Sequence, residues 1–372
     1  MDLSSEDALR LNVLLAGQPL AVRIDEQTMT VHGLTPRGEA QVALHPNCRP
    51  GQYVKRVKEL LSGRVLGSPG GYPVYLQRWT RMGQMRDESL EQLLLLGEPE
   101  AVVAAVCATG LTDELARRAW WAMEDAENAR RMLAREAIVG GRMGPVLARY
   151  LVEHLPFETE PEKMIESVRL VLQPGLVDEE TRADIWRKAA RRQAYYVGFL
   201  AAVPDGLPVE APAHPLADAL AARIREVAAE APEAALVARV LSPTGQAFLD
   251  TCRLVLDKPA NQDVVNTMLD VIAGYFGTLR PEGAADMTLD ELEREAGAFV
   301  VGLPPTLRRI ADAFPEAEAL LMSMRMLSGL GYGVVRPIFR DSTAIGSLMR
   351  RKLEPVFTPL LGHIDLLRGR RR

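Results

Sequence analysis

The side chains best suited to chemistry lie between residues 45 and 86, where basic, aromatic and thiol groups come together. This segment holds eight Lys or Arg residues and a single acid, Glu59. Basic residues beside aromatic rings can bind single-stranded nucleic acid, because cations neutralise its backbone and rings stack on its bases. The same cations can instead contact an acidic protein surface. The candidate binding surface comprises Arg49, Lys55, Arg56, Lys58, Tyr72, Tyr75, Arg78, Trp79 and Arg81.

A thiol lies at the start of this segment. Cys48 is followed by Arg49, and Lys55 and Arg56 come about two helical turns later. Basic neighbours favour the reactive thiolate form of cysteine, so Cys48 is the candidate reactive thiol, with a redox or persulfide role. Cys107 and Cys252 lie among apolar residues, and we expect both to be buried and unreactive.

The sequence lacks the motifs of several other chemistries. His45 and Cys48 form an isolated His-x-x-Cys, with no second pair at the spacing of a zinc site. No G-x-S-x-G nucleophile motif is present. The run Gly329-x-Gly331-x-Gly333 follows a helical pattern, whereas a dinucleotide-binding loop follows a strand. We therefore expect no metal, no cofactor and no catalytic residues.

Residues 1–86 have the pattern of a small α+β domain with an antiparallel sheet. A short helix opens at Ser4, and three segments of alternating character follow, separated by turn residues. A second helical stretch carries Tyr53, Val57 and Leu61 at a 3.6-residue period. The expected strands are Leu20–Ile24, Thr28–His32 and Glu39–Leu44, with a further strand at Tyr72–Thr80.

From residue 87 onward the pattern is helix after helix, so the chain is expected to be mainly α. Aromatic residues make up only 5% of the sequence, which favours helices packed through Leu, Ala, Val and Met. The expected organisation is a helical-hairpin array, solenoid-like, at 87–203, a Pro-rich linker at 204–215 and a C-terminal helical region at 216–372.

Two segments about 65 residues apart resemble each other. Residues 110–114 and 175–179 share the pattern Gly-Leu-x-Asp-Glu, and Trp121 and Trp186 follow at the same distance. We expect each Asp to cap the next helix and each Trp to be largely buried. The similarity reflects either a true helical repeat or the helix-ending and helix-capping residues that helical hairpins share. The sequence leaves both explanations open.

The composition also indicates the cellular compartment in which the protein folds. Three cysteines without a CxxC motif fit a reducing environment, and the acidic start of the chain is unlike a signal peptide. The apolar runs are shorter than the ~20 residues that span a bilayer. We expect a soluble cytoplasmic protein without membrane insertion.

Three runs of the N-terminal region carry a resemblance to a known family: Glu6–Leu15, Met29–Leu34 and Gly51–Gly63. In these runs, in length and in the helical pattern at 87–200, the chain resembles the sulfur reduction protein DsrS family. That family is encoded with reverse dissimilatory sulfite reductase in sulfur-oxidising bacteria. The resemblance implies a cytoplasmic accessory or regulatory protein in the oxidation of stored sulfur, with a protein partner from that machinery, and it supplies no catalytic residues.

Three functional hypotheses follow. The first is a non-catalytic accessory or regulatory scaffold. The second is an RNA- or DNA-binding regulator that uses the basic segment at 49–86. The third is a sulfur-handling protein that uses Cys48.

Overall fold

The computed structural model of the chain describes residues 3–67, 90–228, 232–283, 285–312, 314–340 and 346–369. Contacts group the chain into two units, Met1–Pro156 and Phe157–Arg372. The boundaries expected at residue 86 and at 204–215 stay predictions, because a grouping by contacts does not test which segment folds alone. Within the described ranges, no helix is both long and apolar enough to cross a membrane.

The first unit begins with a helix and a three-stranded antiparallel sheet. Helix α1 spans Ser5–Ala16, and the strands are β1 (Ala21–Asp25), β2 (Thr30–Thr35) and β3 (Gly38–Ala43), in the order β1-β2-β3. Ala21 pairs with Leu34 and Thr30 pairs with Ala43. The expected antiparallel sheet is confirmed for these three strands, and the further strand expected at Tyr72–Thr80 lies outside the described residues.

Two helices cover one face of this sheet. Helix α2 spans Pro50–Val65, and together with α1 it buries a core. The close approach of α1 requires the glycine in β2, because a Cβ on Gly33 would lie 2.8 Å from Leu14 Cδ1. The core consists of Leu11, Leu14, Val22, Val31, Val42, Leu44, Tyr53, Val57 and Leu61.

Six helices complete the first unit: α3 (Leu90–Leu93), α4 (Pro99–Cys107), α5 (Asp113–Ala122), α6 (Ala126–Leu133), α7 (Glu136–Val139) and α8 (Met143–His154). Helix α5 and the segment after α3 contact β1, an outer strand of the sheet. The backbone N–H of Val22 donates to the carbonyl of Leu94 at 2.8 Å, and the guanidinium of Arg23 stacks over the ring of Trp121 at 4.8 Å.

The second unit is helical throughout its described part. Its helices are α9 (Pro161–Val171), α10 (Glu179–Ala189), α11 (Gln193–Ala202), α12 (Ala217–Ala228), α13 (Pro232–Leu241), α14 (Pro243–Asp257), α15 (Gln262–Tyr275), α16 (Leu289–Val301), α17 (Pro305–Ala311), α18 (Pro315–Leu327), α19 (Tyr332–Phe339) and α20 (Gly346–Leu367). Short 3-10 helices occupy Leu155–Phe157 and Gly277–Leu279. A mainly α fold with a small N-terminal α+β region is thus confirmed.

The two similar segments are built differently at their caps. Asp178 caps α10 by accepting the N–H of Thr181, as expected. At the aligned position, Asp113 does not cap α5, because Thr112 takes that place. Asp113 instead accepts the N–H groups of Arg142 and Met143, at 3.1 and 3.0 Å, where α8 begins.

The two tryptophans of these segments are partly buried, and the larger part of each side chain is covered, as expected. The guanidinium of Arg23 lies over the ring of Trp121. The neighbouring Trp120 is buried, at 8% exposure. Trp186 packs edge-on against Tyr196 and Phe199. Both explanations of the similarity, a true repeat and shared helix-end residues, stay open.

A buried ionic cluster joins α16, α18 and the turn after α15. Arg280 and Arg325 are 6% and 7% exposed, and both guanidinium groups bind the carboxylate of Glu295. Burial alone would raise the pKa of Glu295, but the hydrogen bonds from Arg325 and Arg280 lower it below its ordinary value. Glu282 also pairs with both guanidinium groups, so two carboxylates neutralise the two buried cations.

Candidate functional site

Helix α2 carries the described part of the predicted binding surface, and a buried polar network fixes it to α1. Tyr53 and Asp7 are both fully buried. The Tyr53 hydroxyl donates to Asp7 Oδ2 at 2.5 Å, and the backbone N–H of His45 donates to the same oxygen at 2.8 Å. The N–H of Asp7 donates to Ser4 Oγ at 3.1 Å, which caps α1.

This network is ionised rather than neutral. Burial alone would raise the pKa of the Asp7 carboxyl, but hydrogen bonds from Tyr53 and His45 lower it below its ordinary value. Burial and the neighbouring Asp7 raise the pKa of the Tyr53 hydroxyl. A buried carboxylate with this set of donors holds α2 in one orientation, because any shift would leave the charge unpaired.

Five residues of α2 and its N-terminal cap, Arg49, Lys55, Arg56, Lys58 and Arg64, form what we call the basic α2 surface. Arg49, Lys55 and Arg64 are exposed, and they form no ion pair with any residue that the structure describes. Lys58 pairs with Glu26 at 3.1 Å, and Arg56 is half-buried. The surface therefore presents three cations to solvent on a fixed helix.

The remaining predicted members of the binding surface lie outside the described residues. They are Tyr72, Tyr75, Arg78, Trp79 and Arg81. The one aromatic residue of α2, Tyr53, faces the core and cannot stack on a base. The described part of the surface thus offers cations without an aromatic platform.

The burial of one of the three cysteines differs from the expectation. Cys252 is buried, and burial raises the pKa of its thiol well above the ordinary value, so the expectation of an unreactive core thiol agrees with its position. Cys107 is exposed, which makes the burial prediction wrong there. The residue ends α4, whose buried face is formed by residues 101, 102, 105 and 106, and position 107 falls beyond that face.

Cys48, the candidate reactive thiol, is half-buried at the turn before α2. It packs against the core of the sheet, and its Sγ lies 3.8 Å from the carbonyl oxygen of Arg49. His45 is turned toward Asp7, at 3.2 Å through Nδ1. In the described part of the chain, no group of three or more His, Cys, Asp or Glu side chains could hold a metal ion.

The structure also brings together three residues that the sequence did not single out. Ser323 Oγ lies 3.0 Å from His363 Nδ1, and His363 Nε2 lies 3.8 Å from a carboxylate oxygen of Glu293. This set has the composition of a serine hydrolase triad, but Ser323 is only 1% exposed, so no substrate can reach its hydroxyl. Burial lowers the pKa of His363 despite the opposing effect of Glu293. The three groups tie helices α16, α18 and α20 together.

Comparisons with family models, with curated proteins and with solved structures find nothing that matches this chain.

Proposed function

We propose that this chain is a non-catalytic accessory or regulatory protein that acts by binding an acidic protein partner through the basic α2 surface. The resemblance to the DsrS family supports a cytoplasmic location and a partner from the machinery that oxidises stored sulfur. The observation that supports this proposal most directly is the set of exposed cations Arg49, Lys55 and Arg64, which are unpaired among the described residues. The helix that carries them is fixed by the buried carboxylate of Asp7.

Two other helices, α5 and α10, pair their cations with acids of the same helix. In α5, Glu114 pairs with Arg117 and Arg118, and in α10, Asp184 pairs with Arg187 and Lys188. A cation that is already paired must exchange one carboxylate for another when it binds. The three exposed cations of the basic α2 surface meet no such cost from the described residues, so they can steer and orient an acidic partner.

The same observations weigh against the nucleic-acid hypothesis for the described surface. Binding of single strands draws on aromatic stacking as well as on charge. Tyr53 is fully buried, so α2 supplies charge alone. Carboxylates on a protein surface need no stacking platform, and they fit this arrangement better.

The test is capture of the partner by the wild-type chain and by a double charge reversal. Lys55→Glu with Arg64→Glu changes two exposed side chains that touch no described acid, so the fold should be unaffected. Arg350→Glu with Arg351→Glu is the matched control, because it makes the same change in net charge on α20. Bait proteins are exposed to lysate of a sulfur-oxidising bacterium grown on sulfur, and bound proteins are identified by mass spectrometry.

We expect an acidic protein of the sulfur-oxidation machinery to be retained by the wild type and the control, and lost from the α2 variant. Loss of affinity of about tenfold or more corresponds to repulsion at two rim charges. Retention of RNA or DNA in place of protein, lost in the same variant, would establish the nucleic-acid hypothesis. A persulfide on Cys48 of the purified chain would instead support the sulfur-handling hypothesis.

A further inference from the structure

The outer edge of strand β3 is open among the described residues of the first unit. The sheet has the order β1-β2-β3, so β1 and β3 each have one edge without a neighbouring strand. The segment after α3 occupies the edge of β1, where the N–H of Val22 donates to the carbonyl of Leu94 at 2.8 Å. No described segment bonds to the edge of β3, and Glu39, Gln41 and Ala43 are all exposed.

The register of the strands shows which backbone groups of β3 point to this edge. The ladder pairs Thr30 with Ala43. One step further on, the N–H of Leu44 donates to the carbonyl of Met29 at 2.8 Å. Because the direction of bonding alternates along an antiparallel ladder, positions 38, 40, 42 and 44 bond to β2. The N–H and C=O groups of positions 39, 41 and 43 therefore point to the open edge, and they form no hydrogen bond with any described residue.

The strand lacks the features that usually protect such an edge. Edge strands that stay unpaired commonly carry lysine, proline or a bulge. The run Gly38–Ala43 contains no lysine and no proline, and its pairing with β2 is continuous. Its one charged side chain, Glu39, reaches back across the sheet to His32 Nδ1 at 2.7 Å and to Arg23 at 3.2 Å. The edge is therefore regular and unprotected.

We propose that β3 of a second copy of this chain pairs with this edge in antiparallel orientation, about a two-fold axis at Gln41. Positions 39, 41 and 43 then lie opposite positions 43, 41 and 39 of the second copy. Each opposed pair exchanges two hydrogen bonds, so the three outward N–H and three outward C=O groups of each copy all find a partner. A shift of the register by two residues would leave one of the three positions unpaired in each copy.

The side chains of β3 fit this register. Side chains that lie opposite each other in a sheet are in contact, and like charges there weaken the pairing. Glu39 lies opposite Ala43 of the second copy, and the two Glu39 positions are about 13 Å apart along the strands, beyond the screening length of about 8 Å. The two Gln41 side chains face each other, and their amides can donate to one another. On the other face Ala40 meets Val42 of the second copy, which extends the core beneath α1.

A second copy suits this edge better than an unrelated peptide does. Peptides that add a strand to a sheet are selected by pockets that hold alternate side chains. The exposed side chains of β3 itself are small or polar, and between two copies they match each other without any pocket. One pair of strands makes a small interface, so we expect a reversible dimer that dissociates on dilution. The residues of the basic α2 surface take no part in this pairing.

The two-fold axis places position 41 opposite itself, which allows a charge-swap test. Gln41→Glu and Gln41→Lys each change one exposed side chain. We expect either variant alone to dimerise about threefold to tenfold more weakly than the wild type, because like charges meet at the axis. An equimolar mixture of the two variants should restore the dimer, because opposite charges then meet. Sedimentation velocity of the full chain over a range of concentrations measures the dissociation constant.

Gln27→Glu and Gln27→Lys are the matched controls, because Gln27 is exposed in the turn between β1 and β2. Alone and mixed, they should dimerise as the wild type does. Hydrogen exchange gives a second readout. The backbone amides of positions 39, 41 and 43 should be protected in the dimer and should exchange freely after dilution to the monomer.

A wild-type chain that stays monomeric up to its solubility limit would overturn the proposal, and so would a dimer that neither Gln41 variant weakens. A mixture of the two variants that dimerises no better than either one alone would overturn the two-fold axis at this position. Protection of the three amides in a chain that stays monomeric would also overturn the proposal. That result would assign the edge to a segment of the chain itself, such as the strand expected at Tyr72–Thr80.

Discussion

Replacing Tyr53 with Phe tests whether the buried network sets the position of α2. The change removes one hydroxyl and keeps the ring that fills the core, so the principal loss is the hydrogen bond to Asp7 Oδ2. Hydrogen bonds to charged groups contribute about 1.5–3 kcal/mol to stability. Because both residues are fully buried, water cannot replace the lost donor. We therefore expect Tyr53→Phe to lower the free energy of unfolding of the first unit by about 2 kcal/mol.

The effect should depend on pH with a definite sign. The pKa of Asp7 in the folded chain lies below the ordinary value of 3.8, so the stabilisation is fully present above that value. It is lost as the pH falls through the lower, folded-state pKa. The difference between Tyr53→Phe and the wild type should thus be largest near pH 7 and should shrink below about pH 4.

The assay is urea denaturation with hydrogen-exchange mass spectrometry of peptides from α1 and α2, which assigns the loss to the first unit. A melting temperature lower by about 4–8 °C corresponds to the same loss in a unit of this size. Tyr332→Phe is the control, because Tyr332 is 47% exposed and should change stability by less than about 0.5 kcal/mol. A Tyr53→Phe variant as stable as this control at pH 7 would show that the network does not hold α2.

Three further predictions concern other parts of the chain. A mild alkylating agent should label exposed Cys107 first, half-buried Cys48 next and Cys252 only after unfolding; early labelling of Cys252 would contradict the observed burial. Asp113→Ala should cost about 1 kcal/mol and speed hydrogen exchange at the start of α8, where two N–H groups lose their acceptor; unchanged exchange there would refute this. Glu295→Ala should destabilise the second unit by about 3 kcal/mol in urea at pH 7, because two buried guanidinium groups lose one of the two carboxylates that pair with them and keep only Glu282. Since the pKa of Glu295 is lowered, that loss should diminish as the pH falls below the ordinary value of 4.5, and a constant difference would count against an ionised cluster.

The sheet could be predicted from the sequence because alternation of apolar and polar residues is a local property. Its second strand is displaced, since Thr28–His32 was expected and Thr30–Thr35 is observed. The reason is the turn before it. Asp25 Oδ1 accepts the N–H groups of Gln27 and Thr28, and Met29 has a φ of +50°, so the turn extends further than the sequence pattern indicates.

The helical character after residue 87 could also be predicted, but the chemistry within it could not. Ser323, His363 and Glu293 lie on three helices and meet only through tertiary packing. No periodicity in the sequence carries that information.

The sequence predicted which residues belong to the candidate binding surface, but it did not predict which of them are exposed and unpaired. Charge counting identifies Arg49, Lys55 and Arg64 as members of a basic segment. Counting charges does not distinguish these exposed cations from Lys58, which pairs with Glu26 in the turn between β1 and β2. The inward orientation of Tyr53 follows from a different pattern, the 3.6-residue period that Tyr53 shares with the buried Val57 and Leu61.

Site-specific photo-cross-linking in living cells tests the binding role of α2 directly, because it captures whichever molecule contacts the helix. A photoreactive amino acid replaces Lys55 in the full chain, and a second strain carries it at Arg350 on α20, both exposed positions. After irradiation of a sulfur-grown bacterium, cross-linked species are purified and identified by mass spectrometry. The proposed function predicts one acidic protein of the sulfur-oxidation machinery cross-linked from position 55 and absent from position 350. Cross-links from position 55 to RNA or DNA, or the same species from both positions, would contradict it.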